Sequence, residues 1–168
     1  MNPEPQVQLM EAFSKDYWEG FVAPLGVEIG WVEPGGSLPG TFWGEPEAGL
    51  VGSTVYVRGD TPVHSFLHEL CHLICMDPQR RATLHREAGG TRKEEEGVCY
   101  LQVVLARDHL RGVGMERLLA DMDAWGYNFV VGSAKGWFET DAADARQWLI
   151  DHGLLTEQDR YTGRLQGE

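Results

Sequence analysis

Apolar positions in the first third of the chain change from helical to strand-like spacing. Apolar residues three and four apart predict a helix over 6–18. Glycine and proline then recur between 20 and 52, where they separate short strand-like runs at 27–32 and 41–43. The run at 54–58 (TVYVR) is rich in β-branched and aromatic residues and is the best strand candidate. This part of the chain therefore predicts one helix followed by a small sheet.

Helical spacing dominates the rest of the chain. A first helix is predicted over 62–76, where it begins at a proline and stops before an Asp-Pro pair. A second begins at a capping-box pattern and covers 91–110. Two shorter helices are predicted over Met115–Trp125 and 141–152, with a short strand at 127–131 between them.

These elements predict an α+β fold in which a small mixed sheet packs on the helix over 62–76 and a mainly helical second half follows. A length of 168 residues without internal repeats predicts a single domain over 1–168. The polar tail after Leu155 is expected to be loosely held.

The charge of the chain narrows the classes of partner. A net charge of −12 repels phosphate groups and anionic lipids, so we expect neither nucleic-acid nor membrane binding. The amino-terminal segment lacks the basic and apolar regions of a signal peptide, and the three cysteines (Cys71, Cys75 and Cys99) do not have disulfide-like spacing. We therefore expect a reduced, cytoplasmic protein, whose oligomeric state the sequence leaves open.

The predicted helix over 62–76 carries an H-E-x-x-H motif at His68, Glu69 and His72. Residues four apart lie on one face of a helix, so both imidazoles can reach one metal ion. Glu69 lies beside that face, where a carboxylate can take a proton from a water molecule at the metal. The motif predicts a site for one divalent ion, zinc by default, with Glu69 as the general base.

A third ligand is expected from the next helix, which begins near Glu94, Glu95 and Glu96. Here the sequence resembles the gluzincin metallopeptidases, in which H-E-x-x-H is followed by a liganding glutamate in N-E-G-F-A. The run Glu96-Gly97-Val98-Cys99 lines up with E-G-F-A. A looser match to the small proteases that regulate phage immunity and radiation response also falls on Glu96. The resemblance implies a zincin-like fold, peptide or protein substrates and Glu96 as third ligand, with Glu95 as the alternative.

Hydrolysis also needs a group that stabilises the developing oxyanion. Tyr127, His109 and His152 are candidates, and the sequence does not choose among them. His64 lies on the same helical face as the motif, two turns before His72 and too far for one metal to bind all three histidines. It is therefore expected beside the metal or in the cleft, or it is simply a histidine at the start of the helix.

Two other functions fit the same residues. Two histidines and a carboxylate are also the ligands of non-haem Fe²⁺ oxygenases. The H-E-x-x-H helix, the strand before it and the Arg80-Arg81 pair are similar to elongation factor P hydroxylase. A metal-stabilised binding protein without turnover, including a structural zinc site that uses the cysteines, is the third alternative.

Overall fold

The computed structural model describes residues 6–41, 44, 46–83, 91–127 and 132–167. These residues form an α+β fold with a small three-stranded mixed sheet, as the sequence predicted. The strands are β1 (Glu28–Trp31), β2 (Gly49–Val51) and β3 (Thr54–Val57). The helices are α1 (Lys15–Val22), α2 (Val63–Cys75), α3 (Pro78–Thr83), α4 (Arg92–Asp108), α5 (Met115–Trp125), α6 (Ala134–Thr140) and α7 (Ala143–Asp151). None of these helices has the length and apolar character needed to cross a membrane.

The sheet has the strand order β1-β3-β2. Strand β1 runs parallel to β3, with Ile29 opposite Val55, and β2 runs antiparallel to β3, with Leu50 opposite the same residue. The predictions for β1 and β3 are confirmed, whereas β2 was not predicted. Of the run predicted at 41–43, Thr41 lies outside any strand and the other two residues are outside the described ranges.

Helix α2 lies in the middle of the core. Strands β2 and β3 pack on one side of it, and α4 and α5 pack on other sides. Its apolar side chains Phe66, Leu67, Leu70 and Ile74 are fully buried. Because α2 is enclosed in this way, any polar side chain that it turns inward needs a partner from a neighbouring element.

Several boundaries differ from the prediction. The first helix begins at Lys15, because the Ser14 side chain accepts a hydrogen bond from the Tyr17 amide and caps the helix there. The residues before it form only a 3-10 turn at Met10–Ala12. Helices α3 and α6 were not predicted. Of the strand predicted at 127–131, Tyr127 lies outside any strand and 128–131 are outside the described ranges.

The carboxyl end of α2 is closed by residues from α3 and from the end of the chain. Arg81 donates hydrogen bonds to the carbonyl oxygens of Leu73 and Met76. Gln166 donates from its backbone amide to the Ile74 carbonyl at 2.8 Å and from its side chain to the Cys75 carbonyl. The last carbonyl groups of α2, which have no partner within the helix, are thereby satisfied. The expectation of a loosely held tail is wrong at this point.

Candidate metal centre

The two histidines of the H-E-x-x-H motif face each other on α2, as their four-residue spacing predicted. Their Nε2 atoms are 3.1 Å apart and their rings meet edge to face at 4.6 Å. The His72 side chain is 7% exposed and the His68 side chain 19% exposed. Two imidazole nitrogens at this separation in the core can be bridged by a proton or by a cation.

Glu95, in the first turn of α4, brings a carboxylate to both imidazoles. Its Oε1 lies 2.9 Å from Nε2 of His68, and its Oε2 lies 3.1 Å from Nε2 of His72. One donor atom from each of the three residues lies within 4.8 Å of the other two. Tetrahedral bonds of about 2.0–2.1 Å place donors about 3.3–3.4 Å apart, so small outward shifts would fit these side chains around zinc.

Glu96 was preferred over Glu95 from the sequence, but in the structure it is Glu95 that lies against the two imidazoles. Successive residues of a helix are turned by about 100°, so only one of the two can face α2. Glu96 lies 3.4 Å from Arg92 in an ion pair on the outer side of α4. The glycine that supported the E-G-F-A match has another role: a Cβ atom at Gly97 would lie 2.8 Å from the Trp148 ring of α7.

The three groups are strongly coupled electrostatically. Burial favours the neutral form of the Glu95 carboxyl, but hydrogen bonds from the two imidazoles hold its pKa well below the usual range. Burial also lowers the pKa of His68, while interactions with Tyr127, Cys99 and Glu95 raise it well above the ordinary value. The Glu95 side chain is nevertheless 48% exposed. The cluster therefore has a buried side formed by α2 and a side that reaches solvent.

Glu69, the predicted general base, is half-buried next to the cluster. Burial raises the pKa of its carboxyl, the charges of His68 and His72 lower it in part, and the carboxylates of Glu95 and Glu47 raise it further. A base whose pKa lies above that of an ordinary carboxyl holds a proton more readily after removing it from water.

Gln102 is a residue of the site that the sequence analysis missed. Its Oε1 lies 2.8 Å from Nδ1 of His68, and its Nε2 donates to the backbone carbonyl of His64 at 3.0 Å. Gln102 is fully buried and lies seven residues after Glu95, which places the two on the same face of α4. The seven-residue spacing from Glu95 was the signal in the sequence that could have identified Gln102. The contacts also show that α4 runs antiparallel to α2, because later residues of α4 meet earlier residues of α2.

Two further predicted residues lie beside the cluster. The Tyr127 ring packs edge to face against His68 at 5.8 Å, and its hydroxyl lies 3.1 Å from Nδ1 of His64. His64 is buried against Trp125, with ring centroids 5.1 Å apart. Burial, together with the nearby charge of His68, lowers the pKa of His64 to about 3. His64 is therefore neutral at physiological pH.

The remaining two candidates lie elsewhere. His109 is an exposed residue at the carboxyl end of α4, fourteen residues after Glu95, which is about 21 Å along the helix. His152 is exposed at the end of α7, where its ring stacks on Trp148 at 4.0 Å and its Nδ1 lies 2.7 Å from the Trp148 carbonyl. The structure does not bring either of them to the histidine pair.

The start of α4, which carries Glu95, is fixed by two interactions. The Thr91 side chain accepts a hydrogen bond from the Glu94 amide at 3.1 Å, so the predicted cap is present. The Glu94 carboxylate pairs with Arg80 of α3 at 3.0 Å and is buried. Arg80 and Arg81, which supported the resemblance to elongation factor P hydroxylase, therefore hold the ends of α4 and α2.

The three cysteines are buried and not joined in disulfides. Burial raises the pKa of Cys71 and Cys75, which keeps both thiols neutral. Within the described ranges, the group of side chains that could hold a metal ion consists of His68, His72 and Glu95 and contains no cysteine.

Comparison of the chain with protein-family models, with curated proteins and with solved structures finds no match. The resemblance to gluzincin metallopeptidases therefore rests on the motif residues alone, and it remains a prediction. What the structure adds is the convergence of three suitable side chains on one point.

Proposed function

We propose that this protein is a metal-dependent hydrolase that binds one divalent ion, zinc, through His68, His72 and Glu95. The observation that carries the proposal is the approach of the Glu95 carboxylate to both imidazole nitrogens, at 2.9 and 3.1 Å. Imidazole nitrogens and a carboxylate oxygen are the protein ligands of many catalytic zinc sites, which keep a fourth position open. The partial exposure of the Glu95 side chain supports an open fourth position that water or substrate can reach.

The chemistry that a bound zinc ion supplies is polarisation of a carbonyl group and activation of water near neutral pH. Within the chain, Glu69 would act as the general base, which would take a proton from water and pass it to the leaving group. A site that only stabilised the fold would have no use for this half-buried carboxyl beside the ligands. Glu69 therefore favours turnover over a purely structural role.

Tyr127 is the predicted oxyanion-stabilising candidate that lies at the cluster. Burial raises the pKa of its hydroxyl, so the group stays protonated and can donate a hydrogen bond. His64, held neutral against it, can act as its hydrogen-bond partner on the side away from the substrate. We assign Tyr127 to stabilising the negative oxygen of the transition state.

Peptides or proteins are the substrate class that the H-E-x-x-H motif favours. Glu47 and Glu69 add carboxylates near the histidine pair, and the charge of Glu47 raises the pKa of Glu69. A substrate library should therefore include basic peptides, which such carboxylates attract.

Metal analysis of protein purified without added metal tests the first half of the proposal. We expect about one zinc ion per chain, and we expect His68→Ala to lose it. His109→Ala is the matched control, because this exposed histidine lies about 21 Å along α4 from Glu95. Retention of a full equivalent of zinc by His68→Ala would place the metal elsewhere.

Hydrolysis of a mixed peptide library by the zinc-loaded protein tests the second half. Cleavage that is lost in His68→Ala and kept in His109→Ala supports the hydrolase. Zinc binding without cleavage of any peptide in the library would leave the metal-stabilised binding protein as the better description. Iron in place of zinc would favour an oxygenase, because the same ligand set occurs in non-haem iron enzymes.

A further inference from the structure

Gln102 contacts two successive turns of α2, one at His64 and the next at His68. It is fully buried on α4, and its side-chain amide bridges the His68 ring and the His64 backbone. A buried amide that uses its oxygen and its nitrogen in this way has a fixed orientation. This orientation determines which nitrogen of the His68 imidazole carries a proton.

The hydrogen-bond roles follow from the backbone carbonyl of His64, which can only accept. The Gln102 Nε2 group donates to this carbonyl at 3.0 Å, so Oε1 is the atom that faces Nδ1 of His68 at 2.8 Å. An amide oxygen can only accept, so the proton between the two residues belongs to Nδ1 of His68. Nε2, which is hydrogen-bonded to Glu95 in the metal-free protein, is then the nitrogen that releases its proton and offers a lone pair when a metal ion binds.

We propose that Gln102 is a positioning residue that holds His68 with a proton on Nδ1 and with Nε2 directed at the metal position. The inference rests on the proposed metal site for its functional meaning. Groups that bind the outer nitrogen of a liganding histidine fix its tautomer and ring orientation, and their loss typically lowers metal affinity by about 10–100-fold. His72 lacks such a partner among the described residues, since its Nδ1 is buried without a hydrogen bond. His68 is therefore the pre-oriented ligand of the pair.

The replacement Gln102→Met tests this role because it keeps a side chain of similar length without the amide. The carbonyl of His64 keeps its helical hydrogen bond in this variant, so the main loss falls on Nδ1 of His68. Gln102→Glu keeps an oxygen acceptor and serves as the conservative variant. Val103→Ala is the matched control, because Val103 is equally buried on α4, one residue further along.

The decisive measurement is a long-range ¹H–¹⁵N NMR spectrum of the metal-free protein with labelled histidine. We expect a slowly exchanging proton on Nδ1 of His68 in the wild type, in Gln102→Glu and in Val103→Ala, and its loss in Gln102→Met. A wild-type His68 without a proton on Nδ1, or a Gln102→Met spectrum equal to that of the wild type, overturns the proposal.

Zinc affinity, measured by competition with a chelator, gives the second readout. We expect Gln102→Met to bind zinc about 10–100-fold more weakly than the wild type, and Gln102→Glu and Val103→Ala to stay close to it. An equal loss in Val103→Ala would reduce Gln102 to a packing residue and overturn the assignment. If the wild type binds no zinc, the proposed function fails, and the NMR measurement still decides where the His68 proton lies.

Discussion

Glu95 and His68 come from helices that run in opposite directions, and their side chains meet with 2.9 Å between Oε1 and Nε2. Glu95 is next in sequence to Glu96, whose partner is Arg92 on the outer side of α4. The two glutamates therefore form a matched pair of equal charge and different surroundings. Replacing each of them in turn compares the proposed metal ligand Glu95 with a carboxylate on the outer side of the same helix.

Glu95→Gln should weaken zinc binding by at least about 100-fold. This loss is larger than the one caused by removing a residue that only hydrogen-bonds to a metal ligand. Glu96→Gln should leave the affinity within a factor of about 2, because an exposed ion pair contributes little. Chelator competition at constant pH measures both values. The opposite order would return the third ligand to Glu96 and would contradict the convergence seen in the structure.

Glu69→Gln should separate catalysis from metal binding. The amide has the size of the carboxyl but cannot accept the proton of the attacking water. We expect zinc content to stay near one per chain while peptide hydrolysis falls by about 10²–10⁴-fold, the usual contribution of a general base. Metal analysis and turnover on the same preparation provide the check, and unchanged turnover would remove Glu69 from the mechanism.

Gly97→Ala should destabilise the fold, although alanine favours helices. The new Cβ atom would lie 2.8 Å from the Trp148 ring, and overpacking of this kind costs about 1–3 kcal/mol. Gly20→Ala in α1 is the control, since its Cβ meets no atom within 4 Å and should stabilise the protein by about 0.5–1 kcal/mol. Urea unfolding measures both free energies. Stabilisation by both variants would show that α4 and α7 do not approach closely at Gly97.

The pH dependence of stability should include a contribution from Asp159. Burial raises the pKa of this carboxyl, but the Tyr100 hydroxyl at 2.6 Å and Arg107 at 3.0 Å hold it below the ordinary value. A depressed pKa contributes stability above the unfolded value of about 4, and this stability is lost as the pH falls through the folded value. Asp159→Asn should therefore be less stable than the wild type at neutral pH.

The difference between wild type and Asp159→Asn should narrow as the pH falls below about 4. Urea unfolding at several pH values between 7 and 3 measures it. Glu157→Gln, a change at an exposed carboxyl of the same turn, should give a curve parallel to that of the wild type. A constant difference between wild type and Asp159→Asn at all pH values would contradict the assignment.

The sequence predicted structural features most reliably where several local signals agree. Helix α5 has the predicted bounds, Met115–Trp125, because glycines with positive φ lie on both sides of it, at Gly114 and Gly126. The pairing of His68 with His72 also follows from local helix geometry. These features depend on residues close together in the chain, so pattern alone was sufficient.

Features that depend on distant partners were not predicted. Helix α4 is buried on most of its surface, so its apolar pattern does not show which side faces α2, and the choice between Glu95 and Glu96 could not be made from it. The E-G match did not show this side either, because Gly97 also has a packing role of its own against the Trp148 ring. Strand β2 has only three residues and is defined by its pairing with β3.

The hydrogen bonds that close α2 also impose an order on events during synthesis. Gln166 follows Cys75 by 91 residues, which corresponds to about 5–18 s at about 5–20 residues per second. Glu95 follows His68 by only 27 residues, so the three side chains of the histidine cluster are all present long before Gln166 can bind the end of α2. A nascent chain halted between Glu95 and Gln166 would contain all three side chains of the proposed metal site, while the carbonyl groups of Ile74 and Cys75 would still lack their partner.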